Sequence, residues 1–147
     1  MLGRESEPIR VAGCEFCSIA AGEAPAHRVF AADGCVGFLD IRPVFPGHVL
    51  VVPDSHREAF GDLAGEEVAG LFLAAQRISA AVERGLGADG TFVALNNRVS
   101  QSVPHVHVHV VPRRKKDGLR GFFWPRHPYA GDEEAERVAE KIRAAMR

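Results

Sequence analysis

The segment that most restricts this chain is His105-Val106-His107-Val108-His109-Val110-Val111. Alternation of this kind has the period of a β-strand, whose side chains point to opposite faces in turn. On a strand, Val106, Val108 and Val110 share one face and suit a core, while His105, His107 and His109 form a row on the other. A chain with this segment must build a sheet with one dry face and one face that satisfies imidazole nitrogens. The row is internal, interleaved with valine, and takes three of the chain's seven histidines, so filler is a poor explanation for it.

The remaining chain supplies the partners of that strand. Residues 14–21 read as a short helical segment closed by Gly22. Residues 29–31 and 35–41 read as two strands joined at Asp33-Gly34, a strong hairpin signal. Residues 42–47 hold two prolines and a glycine and read as a loop, followed by a strand over 48–52 that Pro53 ends. Over 66–84 the period changes. Val68, Leu71, Phe72, Ala75, Ile78 and Val82 fall on one helical face, and Gly85 and Gly87 are expected to stop the helix. A strand over 91–95 and a polar loop over 96–104 lead into the histidine segment. Asp132 is expected to cap a final helix with the stripe Ala135, Val138, Ile142 and Ala145. Consecutive strands with short turns favour antiparallel pairing. The expected fold is α+β: a mostly antiparallel sheet of about five strands, one long helix and a C-terminal helix. A length of 147 residues suits one domain, with 1–12 as a flexible tail and 113–147 as a C-terminal extension.

Composition narrows the function classes. Hydrophobic residues make up 46% and charged residues 25%, a globular balance. A net charge of −1 gives no global basic field, so no nucleic-acid partner is expected. No apolar run is long enough for a bilayer, and the polar start is not a secretory signal, so no membrane partner and a cytoplasmic location are expected. Cys14, Cys17 and Cys35 are too few and odd in number for a disulfide framework.

Two chemistries can use the histidine row. One metal ion cannot take all three, because His105 and His109 lie about 13 Å apart along a strand and zinc–nitrogen bonds are about 2.1 Å. An adjacent pair can share an ion and activate a water, as in a metal-dependent hydrolase. Alternatively, a neutral imidazole is a competent nucleophile, and a neighbouring imidazole can bind developing phosphate charge.

The alternation His105 to Val111 resembles the signature of the histidine triad (HIT) superfamily. Gln101-Ser102-Val103 before it is similar too, as are Phe38-Leu39-Asp40-Ile41-Arg42-Pro43 and the run from Pro46 to Pro53. The likeness spans roughly residues 14–113. It implies a HIT-like fold and a nucleotidyl hydrolase or transferase acting at the α-phosphate of dinucleoside polyphosphates or adenosine phosphoramidates. By resemblance His107 is the nucleophile that forms a nucleotidyl-histidine intermediate, and His109 binds phosphate oxygens. His48 lines the phosphate site and Ser102 donates to the phosphate. Asp40 holds the ribose hydroxyls, and Gln101 and Asn96 belong to the substrate-binding set, with Asn97 the alternative to Asn96. The superfamily's members with an N-terminal C-x-x-C imply a structural Zn2+ on Cys14, Cys17, His56 and His105, with no organic cofactor. Cys35 reads as a buried strand residue. The resemblance also implies a homodimer that joins two sheets through the long helices.

Three features stay open at this level. Arg113-Arg114-Lys115-Lys116 is either a solvated loop or a guide for anionic substrate. Phe122-Phe123-Trp124-Pro125 packs under the final helix or covers the nucleotide site or a partner subunit. A nucleotide-binding regulatory protein with little turnover is the alternative that contains no reaction.

Overall fold

Asp33 and Gly34 both adopt positive φ, 53° and 75°. That twist lets a two-residue turn join antiparallel strands without splaying them. The hairpin they close pairs β1 (Arg28–Ala32) with β2 (Cys35–Leu39). In the computed structural model, which describes residues 6–120 and 125–147, this hairpin forms one edge of a five-stranded sheet. β3 (Val49–Pro53), β4 (Gly90–Ala94) and β5 (Val108–Arg113) complete it in the order β1-β2-β3-β5-β4, with every neighbour antiparallel.

Each face of the sheet has its own core. Val49, Val51, Val108 and Val110 point to the face covered by α2 (Gly65–Leu86), which lays Leu71, Ala74, Ala75, Ile78 and Val82 onto them. Val36, Phe38, Leu50 and Val52 point the other way and meet Phe16 and Ile19 of α1 (Glu15–Ala20). The alternation expected of the histidine strand holds here: Val108 and Val110 enter the α2 core and His109 lies on the α1 face. Helix α2 approaches closely at Gly37, where a Cβ would sit 2.8 Å from Ile78 Cδ1.

Four local expectations are corrected. The long helix runs through Gly85 and ends at Gly87, whose φ of 63° makes the left-handed cap. A glycine inside a helix costs only about 1 kcal/mol and leaves the hydrogen-bond ladder intact, whereas a left-handed residue ends it. The buried stripe is rotated from the expected one: Ala74 is buried, while Phe72 is 38% exposed. At the third helix, α3 (Asp132–Met146), Gly131 is the N-cap and Asp132 is the first helical residue, where its charge still complements the helix end. Finally, residues 9–11 are hydrogen-bonded rather than frayed. Ile9 N–H donates to Ser55 Oγ, and His56 N–H donates to Ile9 O at 2.7 Å.

The chain forms two compact units, Met1–Asp117 with the sheet, α1 and α2, and Gly118–Arg147 with α3. Phe122, Phe123 and Trp124 lie outside the described residues. Among the described residues no helix is long and apolar enough to cross a membrane.

Candidate active site

The α1 face of the sheet carries a row across three strands: Phe38 pairs with Leu50, and Leu50 with His109. Phe16 stands over this row, its ring edge-on to Phe38 at 5.5 Å and to His107 at 5.1 Å. Together they border a cleft of about 310 Å³, of a size suited to a small ligand. Asp40, Ser102, His107 and His109 also line it.

The histidine segment is not a strand throughout. The ladder begins at Val108, three residues later than the alternation suggests. Just before it, His105 N–H bonds back to Val103 O at 2.8 Å, a tight turn around Pro104, and Val106 N–H donates to Arg57 O instead of a neighbouring strand. This bend breaks the equal row. His105 turns toward the N-terminal cysteines, and His107 and His109 turn toward the cleft with ring centroids 5.0 Å apart.

Backbone partners fix which nitrogen each ring presents. A carbonyl can only accept, so the nitrogen facing one must carry the proton. His107 Nδ1 donates to His105 O at 2.8 Å, which leaves the Nε2 lone pair free. Val44 N–H donates to His48 Nδ1 at 3.1 Å, so the His48 proton sits on Nε2 and is donated to His109 Nδ1 at 2.9 Å. The His109 proton is thereby held on Nε2. Asp40 lies 3.7 Å from His48 Nδ1, too long for a hydrogen bond, and that nitrogen is already occupied by Val44. Burial keeps both rings neutral: it lowers His48 against a weaker opposing pull from Asp40, and it drives His109 down to about 4. The Asp40 carboxylate accepts from Arg42 N–H at 2.9 Å and lies only partly buried.

His105 is tied the opposite way. Its Nε2 donates to Pro53 O at 2.8 Å, so Nδ1 offers its lone pair to Cys14 Sγ at 3.5 Å and Cys17 Sγ at 3.6 Å. His56 Nδ1 lies 3.4 Å from Cys17 Sγ. These four ligand atoms lie within 4.8 Å of one another. A tetrahedral zinc with bonds of about 2.1–2.3 Å sets its ligands about 3.4–3.8 Å apart, so the donor set and its spacing fit that ion. Backbone N–H groups of Val11 and Cys17 point at the two sulfurs at 3.5 Å, an arrangement that suits thiolate ligands. Cys35 is buried elsewhere, and burial pushes its thiol up to about 11.

Not every expected residue reaches the cleft. The Asn96 side chain donates to Ser100 O. The Gln101 amide donates to Glu58 O and accepts from Arg98 N–H. Both brace the loop before the histidine segment and neither is among the cleft's lining residues. Asn97 accepts from Phe60 N–H. Ser102 does line the cleft. Phe16, Glu15 and Arg42, to which no sequence motif assigns a role, also line it. Their place between the cysteines and beside Asp40 was the available signal. A larger apolar groove of about 880 Å³, lined by Phe30, Ile78, Val82 and Leu86, holds none of the histidines.

An antiparallel sheet that carries a buried imidazole anchored through one nitrogen beside a cleft, a second imidazole with a fixed donor and an adjoining Cys/His cluster defines a histidine-triad domain. The chain belongs to the HIT family: residues 21–116 match the HIT domain. An uncharacterized HIT-like protein of Mycobacterium tuberculosis is 41% identical over 127 residues, covering 83% of this chain and 86% of the relative. The adenosine 5′-monophosphoramidase hnt1 of Schizosaccharomyces pombe is 30% identical, covering 91% and 98%. The bis(5′-adenosyl)-triphosphatase of Dictyostelium discoideum is 40% identical over 90 residues, 60% of each chain. Among solved structures, a Streptococcus mutans protein superposes with a TM-score of 0.85 at 31% identity, covering 94% and 88%. A zinc-bound histidine triad family protein of Mycobacterium smegmatis gives 0.70 at 38% identity, covering 90% and 97%.

Proposed function

We propose that this protein is a nucleotide hydrolase or transferase that works through a covalent histidine. The observation that carries the reading is the free His107 Nε2, open to the cleft while Nδ1 is anchored on His105 O. A lone pair on a fixed ring needs no deprotonation before it attacks. His107 Nε2 bonds to the α-phosphorus as the bond to the leaving group breaks, and the leaving group carries away the bonding pair. Water or another acceptor then attacks the phosphorus and loses its proton to solvent as the P–Nε2 bond breaks, and the bonding pair returns to Nε2, restoring the neutral ring. His109 Nε2–H and the Ser102 hydroxyl donate to the phosphate oxygens during both steps. Asp40 accepts from the ribose hydroxyls. The relatives named as a phosphoramidase and a dinucleoside triphosphatase support adenosine phosphoramidates and dinucleoside polyphosphates as substrates.

Cys14, Cys17, His56 and His105 hold a structural zinc in this reading, supported by their spacing and by the zinc-bound relative. Bound zinc ties the α1 segment to the residues before β5. Phe16 lies between the two cysteines, so the same tie seats Phe16 beside His107. The chain acts as a homodimer through α2 and the edge strand β4, where Phe72 and Val93 are exposed beside a shallow groove. It works in the cytoplasm.

Turnover of adenosine phosphoramidate and diadenosine polyphosphates, measured with zinc content and circular dichroism, tests the reading. AMP release is expected, with any loss after chelation matched by loss of fold. A chelated protein that stays folded and loses all turnover would instead support a metal-bound water. Tight AMP binding with no product across the panel would support a regulatory binder.

A further inference from the structure

Two charged side chains in the cleft have no role in the steps above. Glu15, the first residue of α1, and Arg42, in the loop after β2, both line it, and both are exposed. Among the described residues neither side chain has a hydrogen bond or ion pair, and they do not pair with each other. The remaining polar lining, Asp40, Ser102, His107 and His109, is committed to sugar and phosphate. The rest of the wall is largely apolar, including Phe16, Ile19, Pro25 and Phe38. A base seated on that wall therefore meets two side chains able to read its edge.

Those two chemistries are complementary. A carboxylate only accepts hydrogen bonds and a guanidinium only donates them. Guanine presents two adjacent donors, N1–H and the 2-amino group, which match the two oxygens of one carboxylate, and two acceptors, O6 and N7, which match an arginine fork. Adenine offers a single amine, and its N1 lone pair would face the carboxylate.

We propose that Glu15, assisted by Arg42, makes this cleft select guanosine over adenosine nucleotides. The inference rests on the nucleotide reading and places guanosine ahead of the adenosine that the names of the relatives carry, without excluding turnover of adenosine substrates. Because both side chains are exposed, the selection is modest, about tenfold, rather than the larger discrimination of a buried polar site.

Calorimetric binding of GMP, IMP and AMP tests this without requiring turnover. The wild type is expected to bind GMP about tenfold more tightly than AMP, with IMP between them because it lacks the 2-amino group. In Glu15→Ala the GMP-to-AMP ratio falls several-fold toward one, leaving only the Arg42 contribution, and in Glu15→Gln, which keeps one acceptor, it is intermediate. Zinc content and circular dichroism check that each variant is folded, since Glu15 lies between two cysteines. A wild-type ratio of one or below overturns the inference, as does a ratio that survives intact in folded Glu15→Ala. Equal binding of both nucleotides removes the inference alone. Binding of neither removes the nucleotide reading as well.

Discussion

The two ends of the histidine segment use the same side chain in opposite senses. His105 is tied through Nε2 to Pro53 O and turns Nδ1 to two thiols, whereas His107 is tied through Nδ1 to His105 O and turns Nε2 to the cleft. Both rings are buried, and each ties one nitrogen to a backbone carbonyl. In the proposed function, the nitrogen that carbonyl takes separates a ligand for a metal from a nucleophile. The lesson is that function along this segment is assigned by the backbone, two residues at a time, and not by the histidine pattern.

Removing a ligand at the first end should give the largest effect. With the proposed zinc bound, Cys17→Ser is expected to lose it and to lower Tm by about 10 °C or more, because binding of a structural metal contributes folding free energy. Calorimetric melting with metal analysis checks it. An unchanged Tm would mean the cluster does not hold α1 in place.

At the second end, His48 positions His109 in the proposed mechanism, through the Val44–His48–His109 hydrogen-bond chain. In His48→Ala the His109 proton is free to move to Nδ1, so kcat is expected to fall about 10- to 100-fold, a range typical of lost supporting hydrogen bonds. KM should change less, and zinc content should not change. If kcat holds while Tm falls, the Val44–His48–His109 chain is structural only.

The smallest effect is electrostatic. His109 is held at about 4 by burial, against about 6.5 in an unfolded chain. Between those values the unfolded chain binds more protons, so stability is complete above about pH 6.5 and is lost as pH falls toward 4. His109→Gln should lose less Tm between pH 7.5 and 5 than the wild type, by about a few degrees. An equal loss would place the acid sensitivity elsewhere.

Much of this was legible in the chain. The Asp33-Gly34 hairpin, the strand order in sequence and the long helix follow from alternation and turn residues, while the separation of His105 from His107 and His109 came from the resemblance to superfamily members with an N-terminal C-x-x-C. What stayed hidden depends on partners far along the chain. The late start of β5 comes from the Pro104 turn and the Arg57 carbonyl, which no local pattern announces. Likewise, Gln101 and Asn96 spend their amides on loop backbone, and the tautomer of His109 depends on a Val44 amide 65 residues earlier in the chain. Phe16 and Glu15 sit inside the C-x-x-C, where nothing local shows that their side chains reach the cleft.

The most direct test of the central claim is acid-quenched mass spectrometry of the protein during turnover of an adenylated substrate. The expected result is an AMP adduct on His107, attached through Nε2, that is absent from His107→Ala. An adduct of equal yield in His107→Ala, or turnover of the wild type at full rate with no adduct under rapid quench, would contradict it.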